Sequence, residues 1–389
     1  MDFRRSNIGN FIRQKKIVES CDCRIEFMNI ATPRIFVAAT QQNDGKTTTA
    51  LGLFKALQDR FGKIGYIKPV GQRFVEIEGR KIDEDTVLME QTFGVKTPLE
   101  AMSPIAIEPD FTRKYIENAN HDFFVKRLQN SFDRAAWEKD FVIIEGSGHA
   151  GVGSVFDLSN ARVAHLLHSK AILVTRGGVG RAIDEAALNK ALFDKEGVEL
   201  IGVILNKVIP DKFEFIQDIV GRGLNRLGIE LLGCIPVEPI LSHATLGQVT
   251  GVIHGHLIAG KNLTRRLVRK VIIGAMNSNH VADHFQYGTL MITPGDREDI
   301  ILTALTAGGG GKGLTGLILS ENLLPHSSLM TMIHESHLPV ITSPLDSYTV
   351  AHAIHNMTVK TLPGDHEKIG KIQSLIANHI NLDRLIERL

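Results

Sequence analysis

A chain of 389 residues and 42.8 kDa is long for one core and suits two domains, and its 43% hydrophobic and 22% charged residues are those of a folded globular protein. With 44 Lys and Arg against 43 Asp and Glu there is no basic field to hold a nucleic acid, so nucleic acid is not an expected partner. Three cysteines cannot staple a chain of this size, which points to a reducing, cytoplasmic setting, and no run of about eighteen apolar residues is present to span a membrane.

The first residues carry Arg4, Arg5, Arg13, Lys15 and Lys16, but no apolar stretch of signal-peptide length follows before Glu19 and Asp22. Cys21 and Cys23 have no further Cys/His set at metal-binding spacing. Residues 1–32 therefore read as an extension outside the fold, with Met28 placed to start a shorter chain. From Arg34 onward, short runs rich in Val and Ile at 35–38, 64–67, 141–144, 171–174, 200–205 and 231–235 alternate with longer segments. Those at 49–60 and 184–194 carry apolar residues three and four apart. Such alternation is how parallel βαβ units read. The expectation is an α/β fold: a doubly wound, mainly parallel sheet of P-loop type over residues 33–245.

After Pro236 the texture changes, through Pro239 and the strand-poor stretch 242–251, which marks a boundary. A second, smaller α/β unit is expected over 246–389, with strands at 288–293, 316–319 and 339–342 and a helix over 298–306. The glycine run 308–313 lacks a Lys-Ser/Thr pair and follows a helix where a phosphate loop follows a strand, so it reads as a flexible loop. Seven histidines lie between His280 and His355, none in a metal motif with an acidic partner.

Chemistry concentrates where the first strand ends. A buried run passes through a polar loop, and Gly45-Lys46-Thr47 opens a helix. In that setting backbone N–H groups of Gln42, Asn43, Asp44, Gly45 and Thr48 face phosphate oxygens. Lys46 supplies a point charge, and the Thr47 hydroxyl is a magnesium ligand. The strict motif has glycine five residues before Gly45, where this chain has Thr40. The competing reading is a polar strand-to-helix turn with a capping threonine.

The segment Ala39 to Thr47 resembles the phosphate loop of dethiobiotin synthetase, and four further segments follow that family's order. Gly65 to Val70 resembles its second-strand motif, which makes Lys68 the second active-site lysine. Ile82 to Thr86 resembles the segment that supplies a magnesium-binding aspartate, best matched by Asp85. Ile143 to Gly148 resembles the acidic-glycine turn, placing Glu145 near the metal, and Val203 to Lys207 resembles the strand end whose asparagine, Asn206, reads adenine. The resemblance implies ATP and Mg2+ as cofactors, Lys46, Lys68 and Glu145 as catalytic groups, and Thr47, Asp85 and Glu145 as metal ligands. Outside that context Lys68 reads as a solvated strand-end lysine, Asp85 as a helix cap and Asn206 as a turn former.

Residues from Lys270 to about Lys368 resemble the DRTGG domain, whose signature appears altered as Gly295-Asp296-Arg297-Glu298-Asp299. There Asp296 reads as a helix cap, with Glu298 and Asp299 favourably placed in the first turn. The two resemblances together are the arrangement at the start of long bacterial phosphotransacetylases, where it is regulatory, and the nucleotide fold is also that of cobyrinic acid a,c-diamide synthases. With the chain ending at Leu389, no acetyltransferase activity is expected.

Two functions follow. The first is a magnesium- and ATP-dependent ligase forming a carbon–nitrogen bond, activating a small amine or carboxylate by phosphoryl transfer. Gly71-Gln72-Arg73 and the turn after Gly146 depart from the synthetase pattern, so its substrate would not be the biotin precursor. Segments 104–113 and 149–157 are the expected substrate contacts. The second is an ATP-sensing regulatory or scaffold protein that acts through the DRTGG-like unit. A homodimer or higher homo-oligomer is expected in either case.

Overall fold

The computed structural model describes residues 29–308 and 313–389. The basic N-terminal stretch, Cys21, Cys23 and Met28, and most of the glycine run fall outside them.

The first unit is built on six strands, β1 (Arg34–Ala39), β2 (Ile64–Ile67), β3 (Phe141–Glu145), β4 (Lys170–Arg176), β5 (Leu200–Val208) and β6 (Leu231–Pro236). They lie in the order β6-β5-β4-β1-β3-β2, and every pairing is parallel. All six residues of β1 are buried, as expected of a central strand covered on both faces. Alternate side chains point to opposite layers. Phe36 and Ala38 join one apolar cluster, while Ile35, Val37 and Ala39 join the other.

The longer helices that connect these strands are α1 (Lys46–Phe61), α2 (Glu84–Phe93), α3 (His121–Ala136), α4 (Gly180–Lys195) and α5 (Phe213–Arg226). Helix α1 buries Ala50, Leu53, Phe54 and Leu57 in the layer of Ile35 and Val37. Helix α4 buries Ala182, Ala186 and Phe193 in the opposite layer. The chain thus leaves the adjacent strands β1 and β4 toward opposite faces, which opens a crevice at their carboxyl ends, the place where α/β sheets bind ligands. An antiparallel hairpin of Phe74–Ile77 and Arg80–Asp83, absent from the periodicity of the sequence, delivers the chain into α2.

The second unit has strands β7 (His256–Ala259), β8 (Lys270–Ile273), β9 (Thr289–Pro294), β10 (Leu314–Ser320) and β11 (Val340–Thr342), in the order β7-β11-β10-β9-β8. All pairings are parallel except that of β7 with β11. Helices α6 (Leu246–Val252), α7 (Glu298–Gly308), α8 (Ser327–Glu335) and α9 (Ser347–Asn356) flank it. A capping box between Thr245 and Gln248 starts α6. At the altered signature the contact of Asp296 is its carbonyl, which accepts from the Glu298 N–H, while Arg297 pairs with Asp299 at 2.9 Å.

The chain then returns to the first unit. Helix α10 (His366–His379) places Ile369, Ile372, Leu375 and Ile376 in the same cluster as the buried side of α1. A Cβ on Gly52 would lie 2.2 Å from Ile376 Cγ1, so only glycine in α1 lets the two helices approach this closely. Beyond α10, Asn381 donates its N–H to the Leu232 carbonyl at 2.9 Å, and α11 (Leu382–Glu387) buries Leu385 in that cluster.

Candidate functional site

The loop between β1 and α1 is shaped by its own side chains. Asp44 is turned inward, where it accepts from the Thr40 hydroxyl at 2.8 Å and from the Gln41 N–H at 2.9 Å. Thr40, which stands where the strict motif has glycine, is buried, and its oxygen, whose one proton goes to Asp44, accepts from the Thr175 hydroxyl at 3.0 Å. Asn43 and Gly45 take left-handed conformations, φ 67° and 106°, and this is what ends the loop and lets α1 begin at Lys46, three residues earlier than the apolar periodicity suggests. From β5, Asn206 donates from Nδ2 to the Asp44 carbonyl at 2.8 Å, and the Lys207 ammonium donates to the Asn43 carbonyl at 2.8 Å. Asn206, expected at the adenine, is thus engaged with the phosphate loop itself.

Beneath the start of α1 sits a cluster of buried charge. Glu145, at the end of β3, has no exposed surface. Its Oε1 accepts from Thr47 Oγ1 at 2.7 Å and from the Lys68 ammonium at 3.2 Å, and its Oε2 accepts from the Tyr66 hydroxyl at 2.9 Å. Lys68 is also paired with Asp85 and lies 3.6 Å from Asp83 Oδ1. Asp83 caps α2 by accepting the Asp85 N–H at 2.9 Å, so the hairpin and the helix start hold both carboxylates at Lys68. A buried carboxylate persists only when paired and hydrogen-bonded, a condition that Glu145 meets through three donors.

The charges tune one another. Burial lowers Lys68, but Glu145, Asp85 and Asp83 together outweigh it and hold the ammonium well above its ordinary value. For Lys46 burial prevails over the attraction of Glu145, and its value is lowered. Burial pushes the Asp83 carboxyl up to about 6 despite Lys68. Burial also raises Asp85, yet Lys68 and then Lys360 overcome it and hold that carboxyl down at about 2. The Tyr66 phenol is raised by burial and by Glu145.

A cleft of about 840 Å³ opens over this cluster. Gln42, Asn43, Gly45, Lys46, Thr47, Thr48, Lys68, Asp85 and Asn206 all line it. Asp44 and Glu145 do not, because Asp44 folds the loop from inside and Glu145 lies under Thr47 and Lys68. The turn after β3 contributes Ser147, Gly148, His149 and Val152, but no residue of 104–113 reaches the cleft. Phe111 of that segment is packed against Phe124 and Phe156 instead. Four further cations face the space: Arg73 and Lys207, from segments compared above with the synthetase pattern, and Arg176 and Lys360, which the sequence did not single out. Lys360 comes from the segment after α9, with its ammonium 2.8 Å from Glu84 Oε2 and 3.7 Å from Asp85 Oδ1. No local signal marks it, since it lies 276 residues from Glu84.

The donor chemistry fits a magnesium ion held together with phosphates. Thr47 and Asp85 offer hard oxygen atoms at the cleft, and the lysines face the same space. Among the described residues no three acidic, histidine or cysteine side chains are disposed to hold a metal alone. Magnesium takes one or two carboxylates and completes its shell with phosphate and water. Also among the described residues, no helix is long and apolar enough to cross a membrane.

Comparison with known proteins agrees with this architecture. Residues 33–245 match the profile of the AAA domain and residues 248–357 that of the DRTGG domain. The chain is 27% identical over 363 residues to the phosphate acetyltransferase of Nitrosomonas europaea and 27% over 370 residues to that of Pseudomonas aeruginosa. Each match covers 91% of this chain and 51% of the relative, so the chain spans about half the length of the curated relatives it matches. Among solved structures, the MinC:MinD cell division complex of Aquifex aeolicus matches with TM-score 0.34 and 16% identity, over 54% of this chain and 84% of that one. The CBS and DRTGG domains of the regulatory region of Clostridium perfringens pyrophosphatase, complexed with the activator diadenosine tetraphosphate, match with TM-score 0.27 and 15% identity, over 43% and 76%. The relatives correct the expectation of a carbon–nitrogen ligase, for their name is that of a transferase and not of a synthetase that consumes ATP. The substrate-side segments that depart from the synthetase pattern, Gly71-Gln72-Arg73 and Ser147 to Gly151, are where that resemblance fails. The pairing of a nucleotide-binding P-loop unit with a DRTGG unit is that of the long phosphotransacetylase arrangement, and through residues 33–245 the chain belongs to the AAA domain family.

Proposed function

We propose that this chain is a regulatory module that binds ATP with magnesium at the β1–α1 loop and passes the occupancy of that site to its DRTGG unit. The observation that carries the reading is the cleft itself, where Lys46 and Lys68 stand over a fully buried glutamate and residues of both units form the walls. In this reading Lys46, Lys68 and the loop N–H groups bind the polyphosphate. Thr47 and Asp85 hold magnesium, which when bound neutralises phosphate charge, and Glu145 orients Thr47 and Lys68 from below. Asn206, whose Nδ2 donates to the Asp44 carbonyl, keeps the loop in shape and would read the adenine. The chain works in the cytoplasm as a homodimer, with no nucleic-acid partner, and regulates by changing how the DRTGG unit meets its neighbour.

Titration calorimetry with ATP and magnesium tests this on the wild-type protein and on Lys46→Ala. Micromolar binding that weakens at least ~100-fold in the variant supports the reading. Steady ADP release stimulated by a metabolite would contradict a purely sensing role, and no heat of binding to the wild-type protein would end the proposal.

A further inference from the structure

We infer that Lys360 is a further lysine of the nucleotide site, supplied by the segment that leaves the DRTGG unit, and that through it the second unit reads whether the cleft is filled. The inference rests on the proposed nucleotide binding and names how that binding is transmitted. Residues Met357 to Thr361 form one wall of the cleft. Their strap is held at two points belonging to different units. The Lys360 carbonyl accepts from Gln248 Nε2 at 2.8 Å, and Gln248 is also the capping-box residue of α6 in the second unit. The Lys360 ammonium reaches the first residues of α2 in the first unit, Glu84 at 2.8 Å and Asp85 at 3.7 Å.

Asp85 is therefore shared between Lys68, which belongs to the first unit, and Lys360, which does not. A cation held by Thr47 and Asp85 competes with Lys360 for Asp85, while polyphosphate oxygens in the cleft offer the Lys360 ammonium a new partner. Either change alters the pull on a strap whose main chain is tied to the cap of α6. The contact with Glu84 is itself a minor support: the two side chains are 30% and 39% exposed, and ion pairs at such exposure contribute little to stability. Replacing Lys360 should leave the fold standing.

The test uses the full chain and Mg-ATP, with hydrogen exchange measured across residues 246–361 and calorimetry on the same samples. In the wild-type protein, Mg-ATP should slow exchange in α6 and in 357–361 by ~3-fold or more. In Lys360→Met that response should fall by at least ~two-thirds, while Mg-ATP affinity falls less than ~10-fold, and Lys360→Arg should keep most of the response. An unchanged response in Lys360→Met overturns the inference, and so does equal loss in the arginine variant, which would assign the effect to the shape of the strap and not to its charge. Wild-type binding with no change in exchange beyond the first unit overturns the inference alone. Absence of binding overturns it together with the proposed function.

Discussion

Two turns in this molecule share one plan and differ in outcome. After β1, Gly45-Lys46-Thr47 leads a buried parallel strand into a helix; after β9, Gly295-Asp296-Arg297 does the same. The first turn faces a cleft with its lysine buried and its threonine set over Glu145. The second is closed on itself: Arg297 bonds Asp299 and the Met276 carbonyl, and Glu298 accepts the His326 N–H at 2.7 Å. A glycine turn at a strand end becomes a binding site only where other elements bring it charge that its own loop does not consume.

The glycines give the largest test of that contrast. A Cβ at Gly295 would lie 1.7 Å from the Leu323 carbonyl oxygen, a backbone atom that cannot step aside, whereas at Gly45 it would meet the Asn206 side chain at 2.0 Å. Gly295→Ala should lower unfolding free energy by ~3 kcal/mol in a denaturant titration, with nucleotide affinity kept within ~2-fold. Gly45→Ala should cost ~1 kcal/mol of stability through its left-handed φ but weaken nucleotide binding ~10-fold or more. Equal effects of the two changes on affinity would remove the distinction between the turns.

A smaller effect is expected from Asp83. Its folded value near 6 lies above the ordinary 3.8, so between those values the native state holds more protons than the unfolded chain. The stability contributed by this group is present below about pH 4 and is lost as pH rises through about 6. Asp83→Asn should flatten this decline, and urea titrations at pH 4, 5, 6 and 7 would show it. A steeper decline in the variant would mean that Lys68 depends on the Asp83 charge more than on Glu145 and Asp85. The smallest effect belongs to the closed turn: Arg297 is paired at the surface, so Arg297→Ala should change stability by less than ~1 kcal/mol and nucleotide affinity not at all. A large loss of affinity would make the second turn part of a site.

Much of this was legible in the residues because it is local. Strands buried on both faces announce themselves as short Val- and Ile-rich runs, and the lysine, threonine and acidic groups sit at their carboxyl ends in a readable order. What escaped was what depends on a partner far along the chain. Lys360 has no motif around it, and it reaches the cleft only because the segment after α9 passes the start of α2. The burial of Glu145 beneath Thr47 follows from three donors on β2, α1 and the lysine after β2 meeting at one oxygen pair, which no spacing encodes. Likewise the apolar stripe of α10 states that a helix buries one face, but not that its counterpart is α1.

That last pairing has a consequence for how the molecule is made. Because α10 and α11 complete the apolar layer over α1, the DRTGG unit is topologically an insertion, and the nucleotide unit is discontinuous in sequence. During synthesis the helix that carries Lys46 waits, with one flank bare, until the insertion has been made and α10 and α11 emerge. A fragment cut at the family boundary near residue 245 would keep every phosphate-binding residue and still lack the cover of its own P-loop helix.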